Sequence, residues 1–151
     1  ERGIGAGRPE LYDHGFTFLV RGRKTHPPSY TAIKNFWRKI TSRVIEVSAE
    51  EHDKIASQIS HLPHAVAACL ALAAQKKSLR FAASGFRDTT RIALGDASVW
   101  APIFHSNRNA LVKSMNFFEK KFKQFRRALQ APSDGPLRRI LSQAALLRKQ
   151  I

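Results

Sequence analysis

The sequence predicts a mainly α-helical protein preceded by a small α/β segment, and three observations carry that reading. Both convincing strand candidates, Phe16 to Val20 and Val44 to Val47, lie before residue 48. Beyond it, apolar residues recur at helical spacing. From Asn107 to Leu129 that spacing tightens into a heptad-like seam, the most regular pattern in the chain.

Taken in order, Phe16-Thr17-Phe18-Leu19-Val20 reads as a short strand, and Arg21 to Pro28 as a basic, proline-containing loop. Ser29 or Thr31 is expected to cap a helix reaching about Ile40, with Ile33, Phe36, Trp37 and Ile40 on its apolar face. Val44 to Val47 is the second strand. Standing alone, these pieces would leave an orphaned sheet edge. Residues 1–48 are therefore one segment, and residues 49–151 the helical domain.

Ser48 is expected to cap the central helix, with Glu51 three residues later completing a capping box. The helix should end near Ala74, where Gln75-Lys76-Lys77 places cations at its negative end. Two stripes run along it. Ile55, Ile59, Leu62, Val66 and Leu70 are expected to face the core, beside a polar stripe of Asp53, Ser57, His61 and His64. Pro63 removes a backbone N–H, so it disturbs the helix there or starts a new one. The apolar stretch Ala65 to Ala74 reads as buried. Thr89 or Thr90 is expected to cap a short helix through Ala93, and Gly95-Asp96 to turn the chain into another helix near Ser98.

In the seam, Leu111, Met115, Phe118, Phe122, Phe125 and Leu129 alternate spacings of four and three, accompanied by Lys120, Lys121, Lys123, Arg126 and Arg127. This is the pattern of a core or dimer helix with buried phenylalanines and a basic solvated side. Ala131 to Pro136 is a linker, and Leu137 to Ile151 a final amphipathic helix.

Composition narrows the classes. At 151 residues the chain has one domain's length. It carries a formal net charge of +15, and residues 101–151 hold 11 basic residues against 2 acidic ones. Such basicity suits anionic partners. No nucleic-acid motif accompanies it, so nucleic-acid binding is expected to be weak, non-specific and lost as salt rises. The single Cys69 has no intrachain partner, which fits a reducing compartment such as the cytoplasm. The longest strongly apolar run, Leu62 to Ala74, is interrupted by His64 and is short of the ~20 residues that cross a bilayer. No membrane partner and no signal peptide are read here.

Two clusters carry candidate chemistry. The first is Ser60-His61-Leu62-Pro63-His64, with His52-Asp53 upstream; the second is Gly85-Phe86-Arg87-Asp88-Thr89-Thr90-Arg91-Ile92-Ala93, followed by Trp100. Arginine offers a planar fork that grips carboxylates, Asp88 is placed to hold a guanidinium, and Gly85 lets a backbone approach a ligand. Neutral imidazole is a common zinc ligand, but no thiolate pair or H-E-x-x-H pattern completes a set, so no metal is expected. Spacing alone does not separate a ligand site from a loop with a surface ion pair. Gly3, Gly5 and Gly7 mimic part of a phosphate-binding turn, yet no strand precedes them, so they make no dinucleotide fingerprint.

In order and spacing, His52-Asp53, Ser60-His61-Leu62-Pro63-His64-Ala65, Gly85 through Ala93, Asp96 and Trp100 resemble the prephenate/arogenate dehydrogenase family, a match running from Glu1 to about Leu129. The resemblance implies oxidative decarboxylation of prephenate or arogenate in tyrosine biosynthesis, with NAD or NADP as cofactor. Residues 1–48 would finish a Rossmann-type cofactor domain, and residues 49–151 would be a helical dimerisation and substrate domain of an intertwined homodimer. The chain would be the C-terminal part of a longer enzyme, cut just after the catalytic histidine, and inactive alone. Arg91 would bind a substrate carboxylate, with His64, His52, Glu1 and Gly85 lining the substrate site. His61 and Ser60 would support it, and Asp88 and Trp100 would act at or across the dimer junction. The competing class is a non-catalytic basic helical binding module of the same ancestry, with a nucleic acid or protein partner.

Overall fold

The computed structural model describes Tyr12 and residues 15–150, so Glu1 and the Gly3, Gly5, Gly7 series lie outside the described residues. The chain divides into two compact units, Glu1–Ala56 and Ser57–Ile151. It is mainly helical, with a two-stranded sheet.

In the first unit, β1 (Phe16–Val20) and β2 (Arg43–Val47) pair in parallel, with Phe16 opposite Arg43 and Val20 opposite Val47. Parallel neighbours need a crossover, and α1 (Pro27–Trp37) supplies it. Tyr30 Oη donates to Glu46 Oε2 at 2.9 Å and Lys34 pairs with the same carboxylate, which ties α1 to β2. The start of α1 differs from expectation. His26 is the N-cap without a side-chain bond, and Pro27 and Pro28 open the helix. Proline fits there because its fixed φ is already helical and its missing N–H would be unpaired anyway. Thr31 instead donates to the Pro27 carbonyl at 3.2 Å. The apolar face of α1 is open, with Ile33 and Phe36 exposed, and the helix stops at Trp37, leaving Ile40 in the turn that follows rather than on that face.

Next, α2 (Ala49–Ala56) starts on the expected capping box: Glu51 N–H donates to Ser48 Oγ at 3.1 Å, and Ser48 N–H to Glu51 Oε2 at 2.9 Å.

The second unit opens on a π-helical turn, Ser57–His61, which leads into α3 (Leu62–Ala73) with Pro63 in its first turn. A 3₁₀ turn (Lys76–Phe81), α4 (Ser84–Thr90) and a second 3₁₀ turn (Arg91–Leu94) follow. Then come α5 (Ala97–Ser106), α6 (Arg108–Leu129) and α7 (Gly135–Arg148). Asp96 caps α5 by accepting from Ser98 N–H at 2.8 Å. Thr90 stands at the N-cap of the 3₁₀ turn Arg91–Leu94 but makes no side-chain cap bond; Thr89 and Thr90 lie in the last turn of α4, and their hydroxyls donate back to the carbonyls of Gly85 and Phe86 at 2.7 Å.

Burial does not follow the two stripes. In the polar one Ser57 is 1 % exposed and His64 6 %, although Asp53 is exposed, whereas in the apolar one Ile59 is 62 % exposed and Ile55, Leu62 and Val66 are half-buried. A π turn holds one more residue than an α turn, so the α-helical spacing that defines both stripes fails across Ser57–His61. Ser57 then meets Ser114 of α6, hydroxyl to hydroxyl, at 2.8 Å. The stretch Ala65 to Ala74 is not buried in one chain either, because only Ala67 of it is buried while Leu70 and Leu72 are exposed. The seam phenylalanines Phe118 and Phe122 are likewise exposed.

Leu62, Val66 and Leu70 of α3 face Met115, Phe118 and Phe122 of α6 across an open apolar groove of about 350 Å³. The helical run Ala49–Ala73 is long and apolar enough to cross a membrane by length and composition, more than Leu62 to Ala74 alone offered. Its first turns nevertheless carry Glu50, Glu51, Asp53 and Lys54.

Candidate functional site

In the second unit the residues of interest gather where α3, the 3₁₀ turn Arg91–Leu94 and α5 meet. His64 lies flat on the Trp100 indole, with ring centroids 3.6 Å apart and planes 24° from parallel. Phe104, one turn further along α5, meets His64 edge-on at 5.8 Å. Burial pushes the His64 pKa down, because a covered imidazole is disfavoured as the cation. Burial thus favours the neutral form of His64, stacked on Trp100 and edge-on to Phe104.

The stack needs Gly95. A Cβ there would stand 2.6 Å from His64 Cε1 and 2.6 Å from Trp100 Nε1, closer than such atoms approach. Sequence reasoning gave Gly95 only a turn. Its signal was a glycine directly before a capping aspartate, with no hint of which rings it must clear.

His61, at the end of the π turn, is half-buried beside the same aromatic pair, 6.4 Å from Trp100 and 6.2 Å from Phe104. The Asn107 amide lies 3.2 Å from His61 Nδ1. Asn107 was also missed, since an asparagine before a helix reads as its cap. Ser60 is exposed on the π turn.

Arg91 opens the 3₁₀ turn that packs against α3. Its side chain is exposed, and its guanidinium makes no hydrogen bond or ion pair among the described residues. Asp88, one turn before it, forms no ion pair with Arg87 or Arg91, so the expected clamp is absent within one chain. Arg87 instead donates through Nε to the Ala82 carbonyl at 3.2 Å. Gly85 sits in the first turn of α4 with open space where a side chain would be.

His52 belongs to the first unit. Its Nδ1 lies 3.1 Å from Asp53 Oδ1, and its ring meets Phe18 edge-on at 5.6 Å. Among the described residues no group of three or more His, Cys, Asp or Glu is arranged to hold a metal. Nor do they include a glycine-rich strand-to-helix turn of the dinucleotide-binding kind.

A mainly helical module with an uncovered apolar groove, a buried histidine stacked on tryptophan and an arginine unpaired among the described residues is the class that the fold and site define. Comparison narrows it. The family model described as "Prephenate dehydrogenase, dimerization domain" matches residues 48–143. The prephenate dehydrogenase of Bacillus subtilis (strain 168) is 35% identical over 116 residues, 73% of this chain and 31% of the relative. The cyclohexadienyl dehydrogenase of Zymomonas mobilis is 33% identical over 140 residues, 88% of this chain and 47% of the relative.

Among solved structures, prephenate dehydrogenase from A. aeolicus in complex with hydroxyphenyl propionate and NAD+ aligns with a TM-score of 0.86 at 26% identity. That alignment covers 98% of this chain and 54% of that one. Synechocystis arogenate dehydrogenase aligns at 0.80 and 25% identity, over 93% and 54%. The chain belongs to the prephenate dehydrogenase family, through its dimerisation domain. It spans between about a third and a half of the length of these two curated relatives.

Proposed function

We propose that this chain supplies the dimerisation and substrate-binding part of an NAD- or NADP-dependent prephenate or arogenate dehydrogenase, a cytoplasmic enzyme acting as a homodimer. The observation that carries the reading is the unpaired Arg91 guanidinium, on a turn packed against the helix that bears His64. A free planar fork on a rigid element suits a dianionic ring acid such as prephenate, since it meets a carboxylate with two parallel hydrogen bonds.

The neutral His64 ring, flat against Trp100, offers an uncharged wall for the substrate ring, and Gly85 leaves its backbone open to approach. His61 and Ser60 support the wall. Asp88, whose carboxylate has no partner among the described residues, is placed to pair at the junction of two copies, and Trp100 acts at the same junction. The parts given to Glu1 and His52 rest on the family resemblance alone. The nicotinamide cofactor takes up hydride in such a reaction, and the described residues do not form its cradle. Residues 1–48 as the end of a cofactor domain, with the helical domain from residue 49, fit the parallel β1–β2 pair and a family match that starts at residue 48.

The test is kinetic, in a polypeptide that joins this chain to its dinucleotide-binding domain. Arg91→Ala should raise the KM for prephenate or arogenate by about one to two powers of ten, the worth of one charge-assisted bond of roughly 1.5 to 3 kcal/mol. The KM for the dinucleotide should hardly move. Arg91→Lys should recover only part of the loss, because lysine keeps the charge without the fork. Unchanged kinetics in a folded Arg91→Ala protein would make Arg91 structural and remove the site.

A further inference from the structure

Gly95 follows the 3₁₀ turn that Arg91 begins, and its backbone does not call for a glycine. Its φ of −58° and ψ of 143° lie in the extended region that every L-residue adopts. By backbone alone, alanine there would stabilise the protein, because it narrows the unfolded ensemble. The demand for glycine comes from side chains instead. The three atoms nearest to a Cβ at Gly95 are His64 Cε1 at 2.6 Å, Trp100 Nε1 at 2.6 Å and Trp100 Cδ1 at 2.7 Å. No other described glycine would bring a Cβ within 3.0 Å of a neighbour, and at Gly85 it would meet open space.

Neither ring is loose. Phe104 packs on both, 5.4 Å from Trp100 and 5.8 Å from His64. Trp100 is also held through its backbone N–H, which donates to the Asp96 carbonyl at 3.0 Å in the capped first turn of α5. On the other side, Gly95 N–H donates to the Ile92 carbonyl at 3.1 Å, which joins it to the turn packed against α3. We propose that Gly95 is a positioning residue of the substrate site: its bare Cα lets the turn that carries Arg91 close onto the His64–Trp100 stack, and so fixes the spacing between the arginine fork and the ring wall. A ring acid held at both ends needs that spacing, since a binding geometry tolerates an error of only about 0.5 Å. The ligand half of this inference rests on the substrate-binding reading of the second unit; the packing half does not.

The packing half is tested by proton NMR of the 151-residue chain, with His64 assigned by the signal lost in His64→Gln. The imidazole lies flat on the indole, so the native His64 Cε1 proton should resonate well upfield of a free imidazole. Gly95→Ala should move it back towards the free value with helical content retained. An unshifted native signal, or an upfield signal that persists in Gly95→Ala, would overturn the proposal. Should Gly95→Ala not fold, removing the indole should restore it in Gly95→Ala/Trp100→Ala. A double variant that stays unfolded where Trp100→Ala folds would make the glycine a backbone requirement and is equally fatal. The ligand half is tested in the polypeptide joined to its dinucleotide-binding domain. There Gly95→Ala should lower kcat/KM for prephenate or arogenate by about 10- to 100-fold, the scale of a misplacement of about 1 Å, with the dinucleotide KM unchanged. An unaltered kcat/KM in Gly95→Ala, beside a raised KM in Arg91→Ala, would remove this inference and spare the substrate reading; no effect in either variant would remove both.

Discussion

At the scale of single residues, the arrangement turns on a histidine that is kept neutral. His64 is covered by Trp100 and Phe104, and burial lowers its pKa from an ordinary value near 6.5. The folded state therefore binds the proton less readily than the unfolded chain. The stability that this contributes is full above about pH 6.5 and is lost as pH falls through the depressed value. Denaturant titrations of the chain should show stability declining below pH 6.5, and His64→Gln should flatten part of that slope. A slope identical in the two proteins would mean that His64 is solvated and the stack is open.

Sequence order and spacing singled out His61, His64, Gly85, Arg91 and Trp100 by resemblance to the family, and the structure brings His61, His64 and Trp100 together. Their neighbours were not legible. Which ring covers His64, why Gly95 carries no side chain, and where Asn107 points are contacts between positions far apart in the chain. No local pattern encodes them.

At the scale of elements, local chemistry decides the helix starts and tertiary packing decides the rest. The Ser48–Glu51 box was legible because a cap is satisfied within three residues of itself, and the turn read at Gly95-Asp96 proves to carry the cap of α5, Asp96. Thus Ser48→Ala should cost about 1 kcal/mol of stability in a urea melt. A loss of helix signal confined to that terminus is the expected circular-dichroism signature, and no change in either measurement would mean that the box is idle.

The π turn was not legible. Sequence reasoning took one α-helical period through Ser57–His61, and so did not place Ser57 and His64 in the interior or Ile59 in solvent. The extra residue is tied to the Ser57–Ser114 bond, whose partners are 57 positions apart. The two threonines of α4 carry the same lesson, since they read as caps and instead bond back within the helix.

At the scale of the whole molecule, one copy leaves too much apolar surface uncovered. The face of α6 that reads as a buried seam buries only Leu111 well, and Phe122 is 62 % exposed. Across the groove, Leu70 of α3 is exposed too. The seam was legible as the pattern of a core or dimer helix, and its period could not choose between them, because a heptad-like stripe looks alike whether its partner is the same chain or another copy. The dimerisation-domain match favours another copy. Covering each large apolar side chain in this groove would contribute on the order of 1.5 to 3 kcal/mol. A charge placed at Phe122 should therefore prevent the association.

Light scattering at micromolar concentration tests this account most directly. The native chain should show twice its 17.0 kDa mass, while Phe122→Glu should show 17.0 kDa with helical content retained. A native chain that stays at 17.0 kDa under the same conditions would contradict the account, because nothing would then cover the groove between α3 and α6.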